Sequence, residues 1–181
     1  MKALQKYLLV FLFSPFLLTQ ELSAQSTLVT IAEDSSATSS SLINSQEFNF
    51  NDLADGFNTN VSWNGVGSFD NLFIADANVW GGAVDDQTGQ GSQFSWQGNN
   101  WANVSTLSLN EKSSYFGFWW SAGDPNNQLT FYNDDEVVAQ YTTQSMFGDL
   151  NLSQEYYGNP LTGGNQGEPY AFINFFGDAE T

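Results

Sequence analysis

Short runs of β-branched and aromatic residues, broken by glycine, asparagine and aspartate, recur along the chain beyond its N-terminal segment. No sustained apolar repeat of helical period with caps is found there, so the pattern predicts strands. Toward the end of the run from Val104 to Leu109, polar and apolar residues alternate as in a half-buried antiparallel strand. The predicted strands are 26–32, 46–51, 71–75, 93–97, 103–110, 114–120, 128–133, 136–142 and 170–176. One short helix is predicted over 144–152.

The clearest local pattern is a β-hairpin over residues 128–141. Asn133-Asp134-Asp135-Glu136 separates two segments of strand composition. Asparagine and aspartate tolerate the backbone conformations that close a hairpin, so a turn is predicted between these segments.

Many short strands without crossover helices predict an all-β fold. An antiparallel two-sheet β-sandwich of jelly-roll type is the first expectation, and an open β-barrel is the alternative. A Ser/Thr-rich loop at 34–41 and Gly-rich loops at 81–91 and 158–167 connect the strands. Loops of this length are functional or mobile. The length fits one domain over 25–181, built around a single hydrophobic core.

The N-terminal segment has the composition of a signal peptide over 1–24. Lys2 and Lys6 precede an apolar run over 7–18 that is shorter than the ~20 residues of a membrane-spanning helix. Small residues then favour cleavage after Ala24. These features predict a secreted, extracellular or cell-surface protein without membrane insertion after cleavage; a permanent N-terminal anchor is the alternative.

The predicted mature chain is strongly acidic. It retains 19 acidic residues (20 − 1, since Glu21 is removed) against Lys112 alone, for a net charge of 1 − 19 = −18. Such a surface repels nucleic acid and anionic lipid, so neither is an expected partner. The absence of cysteine fits bacterial export without disulfides.

The chemistry of the chain is limited by its lack of histidine and cysteine. A Ser-His-Asp triad, a Cys-His pair and a His- or thiolate-based metal site are therefore excluded. No catalytic residue and no cofactor is predicted, with calcium as the one ion that clustered carboxylates could attract. A polysaccharide hydrolase or lyase that uses two carboxylates is the alternative to a protein without enzymatic activity.

Candidate ligand-binding residues lie in two acidic loops and beside them. If the loops converge, Asp124, Asn127 and Glu168 would offer oxygen atoms to a sugar hydroxyl, with Asp124 and Glu168 as calcium ligands. Turn chemistry alone also explains these residues. Trp120 and Tyr170 are the aromatic candidates for stacking on a sugar, although core packing is the expected role of most tryptophans.

Three segments resemble a family of bacterial, mostly cyanobacterial, exosortase-dependent surface proteins that carry a PEP-CTERM sorting signal. The segments are SYFGFWWSAGDPNN at 114–127, FYN at 131–133 and GEPYAFINFF at 167–176. The resemblance covers 70–176, and the region before it fits only by pattern. It implies an exported cell-surface or extracellular-matrix protein with no known enzymatic activity and no defined catalytic residues.

Family members continue into another strand, a Pro-Glu-Pro motif, an apolar helix and a basic tail, whereas this sequence stops at Thr181. A C-terminal truncation is the expected reason, and release without an anchor is the alternative. The sequence thus predicts an exported non-enzymatic surface or matrix protein that binds extracellular polysaccharide or other surface components. Its oligomeric state is left open.

Overall fold

The structure, a computed structural model, describes residues 27–32, 34–42, 44–76, 81, 91–98 and 103–177. The signal peptide predicted at 1–24 and most of the predicted loop at 81–91 lie outside these residues. The strands are β1 (Leu28–Ile31), β2 (Gly56–Trp63), β3 (Gly67–Ala75), β4 (Phe94–Ser95), β5 (Leu107–Leu109), β6 (Tyr115–Ser121), β7 (Gln128–Asn133), β8 (Glu136–Thr142) and β9 (Tyr170–Phe176). A helix, α1 (Thr143–Leu150), and a 3-10 turn at Gln154–Tyr156 lie between β8 and β9.

The strands form three antiparallel sheets. One sheet has the order β1-β9-β6, the second has the order β2-β3-β4 with β5 also paired to β3, and β7 pairs with β8. The prediction of an all-β, antiparallel fold of the sandwich type is confirmed, and the described sheets do not close into a barrel. No helix among the described residues is both long enough and apolar enough to cross a membrane.

The predicted hairpin is present with the predicted strand ends. Gln128 pairs with Thr142, and Asn133 pairs with Glu136 next to the turn. Asp134 adopts a positive φ of 53° in this turn, a conformation that aspartate tolerates better than most residues. A bulge between Phe131 and Tyr132 shifts the pairing register.

One predicted strand is wrong, and one strand of the fold was not predicted. Residues 46–51 form no strand; Phe48 and Phe50 instead pack from a loop against the sheet of β2 and β3. The missed strand is β2, which pairs with β3 along its length. Its glycine and two asparagines give GFNTNVSW a poor local strand propensity, which pairing with β3 overrides.

Helix α1 begins one residue before its predicted start. Thr142 is its N-cap, and Thr142 and Ser145 form reciprocal side-chain to backbone hydrogen bonds of 3.0 Å. The first helical N–H groups, of Thr143 and Gln144, donate to backbone carbonyls of the turn at 124–127. These bonds satisfy donors that a helix start otherwise leaves without partners. Asn151 ends the helix in the left-handed conformation.

Two clusters of buried apolar side chains replace the single predicted core. The main core joins the sheet of β1, β9 and β6 to the β7–β8 hairpin and to α1. Its buried members are Trp120, Met146, Phe147, Tyr156, Ala171, Ile173 and Phe175. The second core lies on the sheet of β2 and β3 and is formed by Val61, Leu72 and Ile74 with partly buried Phe48, Phe50, Leu53 and Phe69.

Candidate functional site

A pocket of about 430 Å³ lies beside the start of β9. Its wall comes from residues 35–36 and, more than 100 residues later in the chain, from residues 154–160 and the loop that includes Gly163 and Gln166. Tyr170, the first residue of β9, completes the lining. The 3-10 turn and the Gly-rich loop therefore place polar side chains around one concave surface.

Asn159 organises the loop that forms one wall of the pocket. Its side chain is 3% exposed, and Oδ1 accepts backbone hydrogen bonds from Leu161 at 2.8 Å and Thr162 at 3.1 Å. The backbone of Asn159 also exchanges hydrogen bonds of 2.8 Å with Gly163 and Gly164. A buried amide that holds several backbone groups fixes the path of the chain, so this loop has a defined shape.

Tyr170 packs beneath the pocket with only 1% of its surface exposed. Its hydroxyl accepts a hydrogen bond of 2.9 Å from Asn165 Nδ2. The Cα of Gly81 lies against the ring, since an added Cβ there would overlap Tyr170 Cε1. Burial raises the pKa of the Tyr170 phenol and the charge of Glu168 adds to the rise, whereas hydrogen bonds from Asn165 and Asn159 oppose it.

The wall at residues 35–36 is held by Asp34. Its Oδ1 accepts hydrogen bonds from Ser36 Oγ at 2.7 Å and from Ser36 N at 2.9 Å. These bonds stabilise the charged carboxylate and lower the pKa of Asp34 below its usual value. The predicted loop at 34–41 thus contains a local turn that places Ser35 and Ser36 at the pocket.

Glu155 brings a carboxylate to the pocket lining. It is exposed, and its Oε1 accepts a hydrogen bond of 2.8 Å from Ser153 Oγ. Among the described residues that line the pocket, Glu155 provides the one carboxylate. The other polar groups of the lining are hydroxyls and side-chain amides, which both donate and accept hydrogen bonds.

Trp120 lies in the main core and away from the pocket lining. It is 6% exposed, with its ring 5.1 Å from that of Phe118 and 5.9 Å from that of Phe147. An indole this deeply packed offers no free face to a sugar, so its placement corrects the ligand-binding role predicted from sequence. The surroundings of Trp120 agree with the other expectation, which is that it packs in the core.

The predicted acidic loops meet at one end of the β6–β9 strand pair. Ala122 N donates to Pro169 O at 3.1 Å, which places Asp124 and Glu168 near the same sheet end. Asp124 and Asn127 form an exposed β-turn closed by a 2.9 Å backbone hydrogen bond. Neither turn residue lines the pocket. Of the five candidates, Tyr170 alone is part of the lining.

No group of three or more carboxylates that could hold a metal ion occurs in the described ranges. The calcium role of Asp124 and Glu168 therefore stays a prediction. If these two residues bind calcium, EDTA should lower the melting temperature at constant ionic strength, and the double variant Asp124→Asn, Glu168→Gln should remove that shift. An EDTA-independent melting temperature would reject this site.

Asn159 and Glu155 were not among the site residues predicted from sequence. The Asn159-Pro160 dipeptide favours turn initiation and could have indicated the loop. Nothing in the local sequence distinguishes Glu155 from the other acidic residues, because the pocket assembles segments more than 100 residues apart.

Comparison with known proteins provides no relative for this chain. No protein-family model, no curated protein and no solved structure matches it. The all-β sandwich-type fold and the polar pocket beside β9 are consequently the basis for any assignment of function.

The raised pKa of Tyr170 predicts a loss of stability in alkali. The native state holds this phenol in its neutral form, so the stabilisation is complete below the ordinary pKa of 10.0 and is lost as pH rises through the higher native value. We expect the stability difference between wild type and Tyr170→Phe to shrink as the pH rises above about 10 in urea unfolding. Tyr132→Phe, which removes a phenol that is 60% exposed, is the matched control. A difference that stays constant with pH would contradict the prediction.

Proposed function

We propose that this protein is an exported, non-enzymatic cell-surface or extracellular-matrix protein that binds polysaccharide at the pocket beside β9. The observation that carries the proposal is the pocket itself, which combines hydroxyl, amide and tyrosine side chains on a concave surface of about 430 Å³. This volume is within the range of roughly 300–1,000 Å³ found for ligand pockets.

The chemistry of the lining suits a sugar. Gln154 and Gln166 are exposed at the pocket, and their amides can donate to and accept from neighbouring hydroxyls of a pyranose. Tyr157 adds a half-buried aromatic side chain that can pack on the apolar face of a sugar ring. Because Asn159 holds the backbone at 161–164, this wall of the pocket is shaped before a ligand arrives, which lowers the entropy cost of binding.

The surface location is supported by features of the sequence. The N-terminal segment has signal-peptide composition, and the acidic chain folds without disulfides. The two longer segments that resemble exosortase-dependent PEP-CTERM proteins form β6 with the turn that follows, and β9. β6 and β9 pair with each other in the main core, so the segments that carry the resemblance include central strands of the fold as well as a local motif.

The hydrolase alternative requires a second carboxylate that faces Glu155 across a bound sugar. Binding and cleavage are therefore measured together. The protein from Gln25 onward is screened against immobilised polysaccharides and a glycan array, and retained glycans are assayed for new reducing ends. Retention without new reducing ends would support the proposal, whereas new reducing ends would favour the hydrolase.

A pair of double variants tests whether the pocket is the binding site. Gln154→Ala, Gln166→Ala removes two amides from the lining, and we expect about a tenfold weaker affinity from the loss of two hydrogen bonds. Gln128→Ala, Gln140→Ala removes two exposed glutamines from the β7–β8 hairpin and should bind as wild type does. Equal affinity in both double variants would reject the pocket as the site.

A further inference from the structure

The negative charges around the pocket favour positively charged ligands. Glu155 lines it, and Asp34 adjoins the lining residue Ser35 in sequence. The backbone oxygen of Glu168 accepts a 3.0 Å hydrogen bond from the N–H of Gly158, another lining residue, and the charge of the Glu168 side chain contributes to the raised pKa of Tyr170. Glu155 is therefore the carboxylate of the lining, and Asp34 and Glu168 lie next to lining residues.

No cation balances these carboxylates in the described part of the pocket. Lys112, the one basic residue beyond the predicted signal peptide, lies between β5 and β6 and does not line the pocket. A uronic acid or sulfated sugar would bring a negative charge toward carboxylates at short range, and like charges at such separations repel.

We propose that the pocket selects amine-bearing, positively charged glycans over neutral and acidic ones, with Glu155 as the carboxylate that contacts the sugar ammonium group. This inference rests on the proposed function, since it specifies the class of polysaccharide that the same pocket binds. Ser153 supports the role, because its hydrogen bond to Oε1 holds the Glu155 carboxylate at the pocket rim. The hydroxyls and amides of the lining then bind the remaining sugar oxygens.

Three hexasaccharides of different charge test the inference by calorimetry. Glucosamine hexamer is cationic at about pH 6, N-acetylglucosamine hexamer has the same backbone without charge, and galacturonate hexamer is anionic. We expect the glucosamine hexamer to bind about fivefold more tightly than the acetylated hexamer, the ratio expected for one exposed ion pair, and galacturonate to bind most weakly. Raising the salt to about 1 M should remove the advantage through screening.

Matched charge variants distinguish a specific contact with Glu155 in the pocket from general attraction to the acidic surface. Glu155→Gln and Glu136→Gln both remove one exposed carboxylate, the first at the pocket and the second at the tip of the β7–β8 hairpin. Glu155→Gln should bring the glucosamine hexamer to the affinity of the acetylated hexamer, whereas Glu136→Gln should keep the fivefold preference. Equal losses in both variants would mean diffuse attraction to a polyanion and would overturn the inference.

The remaining outcomes distinguish this inference from the proposed function. If the acetylated hexamer binds as tightly as the glucosamine hexamer, and Gln154→Ala, Gln166→Ala weakens both, the pocket binds glycans without selecting for charge. That result overturns the inference and keeps the proposed function. If no hexamer binds to the wild-type protein and the array is also negative, both are rejected.

Discussion

Replacing Phe175 with alanine should destabilise the protein by about 3–5 kcal/mol, the usual cost of deleting a buried phenylalanine ring. Phe175 is 2% exposed and lies in β9 between β1 and β6. Its ring centre is 5.1 Å from that of Phe131 in β7 and 5.3 Å from that of Tyr141 in β8. The side chain therefore joins the three-stranded sheet to the hairpin, and its loss leaves a cavity between them.

In urea unfolding, this effect should appear as a lower urea concentration at the midpoint, with an unchanged dependence of the unfolding free energy on urea (the m-value). Phe57→Ala is the matched control, because it makes the same chemical change in β2 at a ring that is 59% exposed. We expect the control to change the free energy of unfolding by no more than about 0.5 kcal/mol. Similar losses in the two variants would contradict the assignment of Phe175 to the core.

Gly67→Ala should destabilise the protein by about 1–3 kcal/mol through steric overlap. Gly67 is buried in β3, where it pairs with Trp63 of β2 on one side and with Leu109 of β5 on the other. A Cβ at this position would overlap the backbone oxygen of Ser108 and lie 3.0 Å from the Cα of Leu109. Backbone cannot rotate away as a flexible side chain can, so β5 must move away from β3.

Two measurements test the strain at Gly67. Thermal unfolding should show a lower melting temperature, and hydrogen exchange should show faster exchange at Asn110, whose N–H donates to Val66 O at 2.8 Å. Gly167→Ala is the control, since no atom lies within 4 Å of the added Cβ and the residue is exposed. Unchanged stability in Gly67→Ala would show that β5 adapts without loss.

Local sequence predicted those parts of the fold that local chemistry determines. The β7–β8 hairpin has both strand composition and turn residues within 15 residues (142 − 128 + 1), and its ends were predicted correctly. Strand β9 is an aromatic and aliphatic run interrupted by Asn174 alone, and it is buried on both faces for most of its length. In these elements, propensity and tertiary packing favour the same structure.

Prediction failed where distant pairing outweighs local preference. The asparagines of β2 disfavour a strand, yet the neighbouring strand β3 provides partners for the backbone. In 46–51 the opposite occurs, since Phe48 and Phe50 reach the second core from a loop without any strand pairing. Both errors concern contacts between segments, which no local pattern encodes.

The candidate site was predictable only in part for the same reason. Tyr170 and the loop at 158–167 were identified from composition, and both contribute to the pocket. Trp120 could not be assigned to the core from sequence, because alternate residues of β6 face opposite sides and the covering elements were unknown. Glu155 depends on a pocket whose walls come from both ends of the described chain.

The position of β9 within its sheet has a consequence for how the chain folds. Leu28 of β1 pairs with Phe176 of β9 across 176 − 28 = 148 residues, and β9 separates β1 from β6. Such distant pairings close large loops and fold slowly. During synthesis, neither β1 nor β6 acquires its neighbour in this sheet until β9 has left the ribosome. A chain whose β1-β9-β6 sheet is still incomplete can be threaded through a translocation channel, so the strand order suits the proposed export.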